Sequence, residues 1–110
     1  MQTGNLLSPL LSGATTGTSP AVQIGGYTAP AITITATAAL SAGTLIVEES
    51  DDPNYAGTWS LIETVNLASI FASAGGKQVR HYDVANYGFL RVEIGDAVVG
   101  GSISVTAGAA

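Results

Sequence analysis

Residues 43–65 restrict the possible folds of this chain more than any other stretch. The sequences LIV at residues 45–47 and WSL at residues 59–61 each place large apolar side chains two positions apart, which is the period of a pleated strand. Between them, residues 50–57 read SDDPNYAG, and Asp, Asn, Pro and Gly favour turns. The segment therefore predicts a hairpin of two strands with one apolar face.

Trp59 is the one tryptophan in the sequence and offers the largest piece of apolar surface. Burying it fully is worth about 2 to 3 kcal/mol by the usual scaling with apolar area. We expect Trp59 to lie at the centre of the core and to face the same way as Leu61, two positions further on.

Further segments of the chain alternate in the same way or are short and rich in β-branched residues. They are Val22–Tyr27, Ala31–Ala38, Lys77–Val84, Phe89–Ile94 and Ser102–Ala107. Only one brief helical turn is expected, from Leu67 to Ala72 with Asn66 as its cap. Short strands with frequent turn residues and almost no helix are typical of two antiparallel sheets packed face to face.

We therefore predict an all-β protein: a two-sheet antiparallel β-sandwich with Greek-key or jelly-roll-like connections, formed by residues 22–110. Strand periodicity assigns one set of apolar side chains to its interior. These are Leu45, Val47, Trp59, Leu61, Leu90, Val92, Ile94, Ile103 and Val105.

Residues 1–21 combine Gly, Pro, Ser and Thr with two leucine pairs. Gly and Pro at this density oppose a stable helix, while the leucines supply apolar surface that a free tail would leave in water. Two interpretations remain open, a frayed terminus or an extended N-terminal arm that docks on a neighbouring subunit. In the second, the partner-binding residues are Leu6, Leu7, Leu10 and Leu11.

The low charge of the chain bears on its partners. Of its 110 residues 10% are charged, against about 25% in an average soluble domain, so its surface is either covered by neutral small residues or packed against partners. A net charge of −5 with three Lys and Arg argues against nucleic acid. No apolar stretch approaches the roughly 20 residues of a membrane span, and no secretory signal is visible, so we expect no membrane contact and synthesis in a cytoplasm.

Catalytic, cofactor-binding and metal-binding residues are not predicted. His81 has no Ser or Cys partner at a recognisable spacing, and the chain contains no cysteine. Asp51 and Asp52 lack the alternating spacing of a calcium loop, so they are interpreted as turn residues. Tyr55 and Trp59 could form a sugar-stacking platform, but strand parity favours a core position for Trp59.

The run GTLIVEESDDPNYAGTWSLI, followed by HYDVANYGFLRVEI and SISVTAGA, resembles a pattern found in small β-sandwich virion proteins of tailed bacteriophages. The resemblance extends over residues 43–107 and is greatest to capsid cement (decoration) proteins. It implies a virion structural protein on the capsid surface that binds the major capsid protein and stabilises the shell. It implies no catalytic residue.

The uncharged surface also favours a symmetric oligomer, and we expect a homotrimer, since closed symmetry lets identical neutral faces bury one another. The rival hypothesis is a tail or fibre module that binds carbohydrate or a host receptor. Tyr55 and the Asp-rich loop around it would be its contact residues. An enzyme is the least favoured reading.

Overall fold

In the computed structural model the described residues are 6–24, 30–82 and 88–109. They form strands and one short helix, α1, at Leu67–Ile70. The strands are β1 (Leu6–Ala14), β2 (Gly17–Thr18), β3 (Val22–Gln23), β4 (Ala31–Ala36), β5 (Thr44–Ser50), β6 (Ser60–Asn66), β7 (Gly76–His81), β8 (Phe89–Ile94) and β9 (Ile103–Ala109).

The strands make two antiparallel sheets packed face to face, which confirms the predicted sandwich. A four-stranded sheet has the order β1-β9-β4-β7, and a five-stranded sheet has the order β2-β8-β5-β6, with β3 also paired to β8. Since β2 and β3 lie one after the other along the same edge of β8, they act as one interrupted strand.

The pairing of the strands is nested. β1 pairs with β9, β2 and β3 with β8, β4 with β7, and β5 with β6, so the chain resembles one long hairpin. Pairing of β4 with β9 and of β5 with β8 wraps this hairpin into two sheets. This winding is the jelly roll, one of the two connection schemes expected from the sequence.

The interior lies between the sheets and is built from alternate residues of the strands, such as Ile32 and Ile34 of β4 and Leu45 and Val47 of β5, all at 0% exposure. Of the nine side chains predicted to face inward, eight are buried, and Leu61 is 63% exposed. The prediction for Leu61 was wrong.

A β-bulge explains the position of Leu61. Val47 of β5 lies opposite Glu63, but Glu48 lies opposite Leu61, so Ile62 is an extra residue in β6. An extra residue moves every side chain beyond it to the other face of the sheet. Leu61 therefore faces away from the core although Val65, on the other side of the bulge, is buried in it.

The N-terminal segment belongs to the sandwich. β1 runs along β9 from Leu6 opposite Ala109 to Ala14 opposite Ile103. Leu10 is 7% exposed and belongs to the core, and Leu11 packs partly against it. The segment that was expected to form a separate arm up to residue 21 is therefore part of the sandwich. Between residues 6 and 21 it supplies an edge strand to each sheet.

Ser19 joins β2 to β3 and keeps this edge connected to β8. Its backbone N–H donates to the carbonyl of Val92 at 2.8 Å, and the Val92 N–H donates to the Ser19 hydroxyl at 2.9 Å. The hydroxyl thus replaces a backbone carbonyl in the ladder, which explains why this polar side chain is buried.

Helix α1 occupies the crossing from β6 to β7. Asn66 stands at its N-cap position, as expected, but its side chain makes no capping hydrogen bond. Leu67 and Phe71 are buried in the core, so the turn is stabilised by packing. Among the described residues, no helix has the length and hydropathy needed to cross a bilayer.

Candidate binding cleft and neutral sheet face

A cleft of about 310 Å³ lies where β5 ends, β6 begins and the loop between them folds over. Its lining consists of aromatic, acidic and hydroxyl side chains. They are Glu49, Ser50, Asp51, Tyr55, Thr58, Trp59 and Ser60.

The loop above the cleft is held by local hydrogen bonds. The backbone N–H of Asp52 donates to the Ser50 hydroxyl at 3.1 Å, and that of Asn54 donates to a carboxylate oxygen of Asp52 at 2.9 Å. This is the Asx-type turn predicted from the sequence. It holds Tyr55 at the cleft with 49% of its surface exposed.

Gly57 lets the Tyr55 ring fold back over the loop. A Cβ at residue 57 would lie 2.4 Å from the Tyr55 hydroxyl oxygen, so a larger residue would push the ring away. Tyr55, predicted as a contact residue, is thus the exposed aromatic side chain of the cleft.

Trp59 is buried, with 3% of its surface exposed, but it does not belong to the main core cluster. Its indole N–H donates to the carbonyl of Tyr55 at 2.9 Å, and the guanidinium carbon of Arg91 lies 4.2 Å from its ring centroid. The expected position at the centre of the core was wrong, because the bulge at Ile62 puts residue 59 on the outer side of the sheet.

Arg91 links Trp59 to a buried carboxylate. Its Nε donates to Glu48 Oε1 at 2.6 Å, and the two residues lie directly opposite each other on β8 and β5. Glu48 is 8% exposed, so the pair and the indole ring form a compact layer outside the five-stranded sheet. The cation over the ring stabilises this layer.

Glu49 follows Glu48 and points to the opposite side of the strand, as the period of two requires. It is 8% exposed, and its Oε2 atom has no hydrogen-bond partner among the described residues. Burial raises the pKa of this carboxyl. In the sequence, Glu48 and Glu49 were considered only as possible calcium ligands and were assigned no site. Two adjacent glutamates in a strand must nevertheless face opposite sides, so one of them must turn toward the interior side of the sheet.

A second buried polar group lies directly after the last residue of β7. Tyr82 is 7% exposed, and its hydroxyl has no partner in residues 6–24, 30–82 and 88–109. Burial raises its pKa, the Glu63 carboxylate raises it further, and Arg80 opposes the shift. Arg80 and Glu63 are paired, with Nε 2.7 Å from Oε1, and so connect the two sheets.

The outer face of the four-stranded sheet contains small hydroxyl side chains along its middle and one cation at its edge. Thr33 lies between Val79 and Thr106, and Thr35 lies between Lys77 and Ser104, in three adjacent strands. Their chain neighbours Ile32 and Ile34 are buried, so these side chains face outward. We call this surface, made of Thr33, Thr35, Val79, Ser104 and Thr106, the threonine face.

Charge is divided unequally between the two sheets. None of β1, β4, β7 and β9 contains an Asp or Glu, and their cations are Lys77 and Arg80 on the edge strand β7. The five-stranded sheet contains four glutamates and Arg91. The threonine face therefore has no carboxylate, whereas the cleft lies at the acidic sheet.

The other residues singled out in the sequence are dispersed. His81 is exposed on edge strand β7, and the described residues contain no group of three or more His, Asp or Glu able to hold a metal ion. Leu10 and Leu11 pack on the core of their own chain, far in sequence from Tyr55. The side chains of Leu6 and Leu7, the pair Gly25-Gly26 and Tyr87 lie outside the described part.

No protein-family model matches this chain, and no curated protein is similar to it in sequence.

Proposed function

We propose that this chain is a virion structural protein, a capsid cement protein that binds the outer surface of the major capsid protein shell through the threonine face. The observation that supports this most is the absence of any Asp or Glu from all four strands behind that face. A sheet face without carboxylates, whose one cation, Lys77, lies on the edge strand, can pack on another protein with little cost of desolvating charges. The acidic sheet then faces solvent and keeps the decorated shell soluble.

The fold and the sequence pattern support the same proposal. Jelly rolls occur in viral coat proteins as well as in lectins. The resemblance of residues 43–107 to bacteriophage virion modules favours the viral use of this fold. Because a fold hosts many functions, the threonine face rather than the topology is the part to test.

The size of the threonine face favours a homotrimer. Its three strands, about 4.8 Å apart and about six residues long, cover roughly 300 Å² of surface. A stable interface buries about 800 Å² on each partner, so the threonine face of one monomer is too small for stable attachment to the shell. Three symmetric copies would bind together and gain avidity. Light scattering should accordingly give three times the monomer mass, and a monomer would remove the trimer from the proposal.

Co-sedimentation with shells of the major capsid protein from the same virus tests attachment through this face. Thr33→Glu puts a carboxylate on the threonine face between Val79 and Thr106, and we expect it to weaken attachment at least tenfold. Thr64→Glu makes the same change at an exposed position of β6 on the other sheet, and it should bind like the unmodified protein. Failure of the unmodified protein to sediment with shells would refute the cement function. Equal binding by both variants would refute the assignment of the threonine face as the surface that binds the shell.

A further inference from the structure

We infer that the cleft between β5, β6 and their loop is a binding site for a neutral saccharide of one or two rings. This site lies at the acidic sheet, away from the threonine face, and does not depend on the proposed cement function. The cleft is lined by residues 49–51, 55 and 58–60.

The first support is Glu49. This residue is 8% exposed and lines the cleft, yet Oε2 has no hydrogen-bond partner among the described residues. Buried polar atoms in folded proteins are nearly always satisfied, so we infer that this oxygen accepts a hydrogen bond from a bound molecule. A sugar hydroxyl is such a donor, and a bond from it to a carboxylate is stronger than one between neutral groups.

The second support is the chemistry of the remaining lining. Ser50, Thr58 and Ser60 supply hydroxyls that both donate and accept, and Tyr55 supplies a half-exposed aromatic ring. A pyranose ring has alternating hydroxyls and an apolar C–H face, so it uses both kinds of group. None of the lining residues that the structure describes is aliphatic, which argues against an apolar ligand.

The charge and the volume of the cleft restrict the class of ligand further. Glu49 and Asp51 would repel a sugar acid, and none of the described lining residues is a cation that would offset them. A single ammonium or guanidinium group would leave most of a 310 Å³ space empty, whereas one or two sugar rings occupy it. A small neutral saccharide therefore fits better than an acidic sugar or a basic side chain.

Titration with sugars tests the site in the full chain. The probes are methyl mannoside, glucose, galactose, N-acetylglucosamine and lactose, with N-acetylneuraminic acid and lysine amide as charged contrasts. Saturation-transfer NMR and fluorescence of Trp59, which lines the cleft, report binding. We expect saturable binding of at least one neutral sugar and none of N-acetylneuraminic acid. No binding of any neutral sugar, or a preference for lysine amide, would overturn the inference.

Two variants with matched controls test the contacts. Tyr55→Ala should weaken binding of the sugar about tenfold or more, while Leu61→Ala, which removes another exposed apolar side chain, should not. Glu49→Gln should weaken it by a similar factor, while Glu93→Gln, on the same sheet but outside the lining, should not. Thermal unfolding checks that all four variants are folded. Unchanged affinity in both cleft variants would place the sugar elsewhere and overturn the inference.

Discussion

At the residue scale, the pair of adjacent glutamates in β5 shows how strand geometry creates different environments from identical side chains. Glu48 turns outward and is neutralised by Arg91, whose guanidinium also covers Trp59. Glu49 turns to the opposite side and lines the cleft without a partner for Oε2 among the described residues. The first carboxylate stabilises the outer layer of the sheet, and the second is the one that we infer to contact a bound saccharide.

The pH dependence of the free energy of unfolding tests the burial of Tyr82. In the unfolded chain a tyrosine ionises near pH 10, whereas burial, helped by Glu63, raises the pKa of Tyr82 in the folded protein well above that value. The folded state therefore binds more protons above pH 10, and the stability associated with Tyr82, full below pH 10, is lost as pH rises further. Tyr82→Phe should make this alkaline loss shallower by up to about 1.4 kcal/mol per pH unit, measured by urea unfolding between pH 9 and 11.

The same variant tests whether the Tyr82 hydroxyl is unpaired. Since it has no partner among the described residues, Tyr82→Phe should cost less than about 1 kcal/mol at pH 7. An unchanged alkaline slope, or a loss well above that value at pH 7, would contradict this account of the side chain.

At the element scale, the bulge in β6 has the largest effect on which side chains are buried. Within β6 the inward side of a regular strand would include residues 61, 63 and 65, and one inserted residue at Ile62 interrupts that series. Glu63, opposite Val47, keeps the inward side and reaches Arg80 on the opposite sheet, whereas Leu61, beyond the bulge, faces solvent. The bulge thereby also places Trp59 beside the cleft.

A pair of leucine substitutions tests the bulge. Leu61→Ala should change the free energy of unfolding by no more than about 0.5 kcal/mol, because the side chain is 63% exposed. Leu45→Ala, on the neighbouring strand and at 0% exposure, should cost about 2 to 5 kcal/mol. Chemical denaturation measures both. A similar cost for the two would mean that Leu61 is in the core and that β6 is regular.

At the scale of the whole molecule, the nested pairing brings the two ends of the chain together. β1 covers the edge of β9, and β2 and β3 cover the edge of β8, so the first part of the chain closes one side of both sheets. The crossing from β6 to β7 closes the other side, where the Arg80–Glu63 pair connects the sheets. The N-terminal segment is therefore needed for closure of the sandwich.

Removal of β1 tests this closure. Deleting residues 1–14 should lower the free energy of unfolding by about 3 kcal/mol or more, because it removes buried Leu10 and uncovers β9. A synthetic peptide of residues 1–14 added in excess should restore stability by strand addition. The same peptide with Leu10→Asp should not. A truncated protein as stable as the full chain would show that β1 is dispensable and would restore the interpretation as a docking arm.

The sequence by itself determined the fold class, the approximate strands and most of the core, because a period of two is a local property of each strand and directly marks its buried side. Ile32, Ile34, Val92 and Val105 follow this rule and are at 0% exposure. The turn at Asp52 was also predictable, since its hydrogen bonds join residues two positions apart.

Only the tertiary structure decided the positions of Leu61, Trp59 and the N-terminal leucines. A bulge exists only relative to a partner strand, so the alternation around Ile62 gave no sign that residue 61 would turn outward. Likewise, composition left residues 1–21 open between a frayed terminus and an extended arm, but residues 6–14 pair with β9, about 90 to 100 residues away at the other end of the chain. Strand pairing across such a distance depends on the packing of the whole sandwich, which no local pattern encodes.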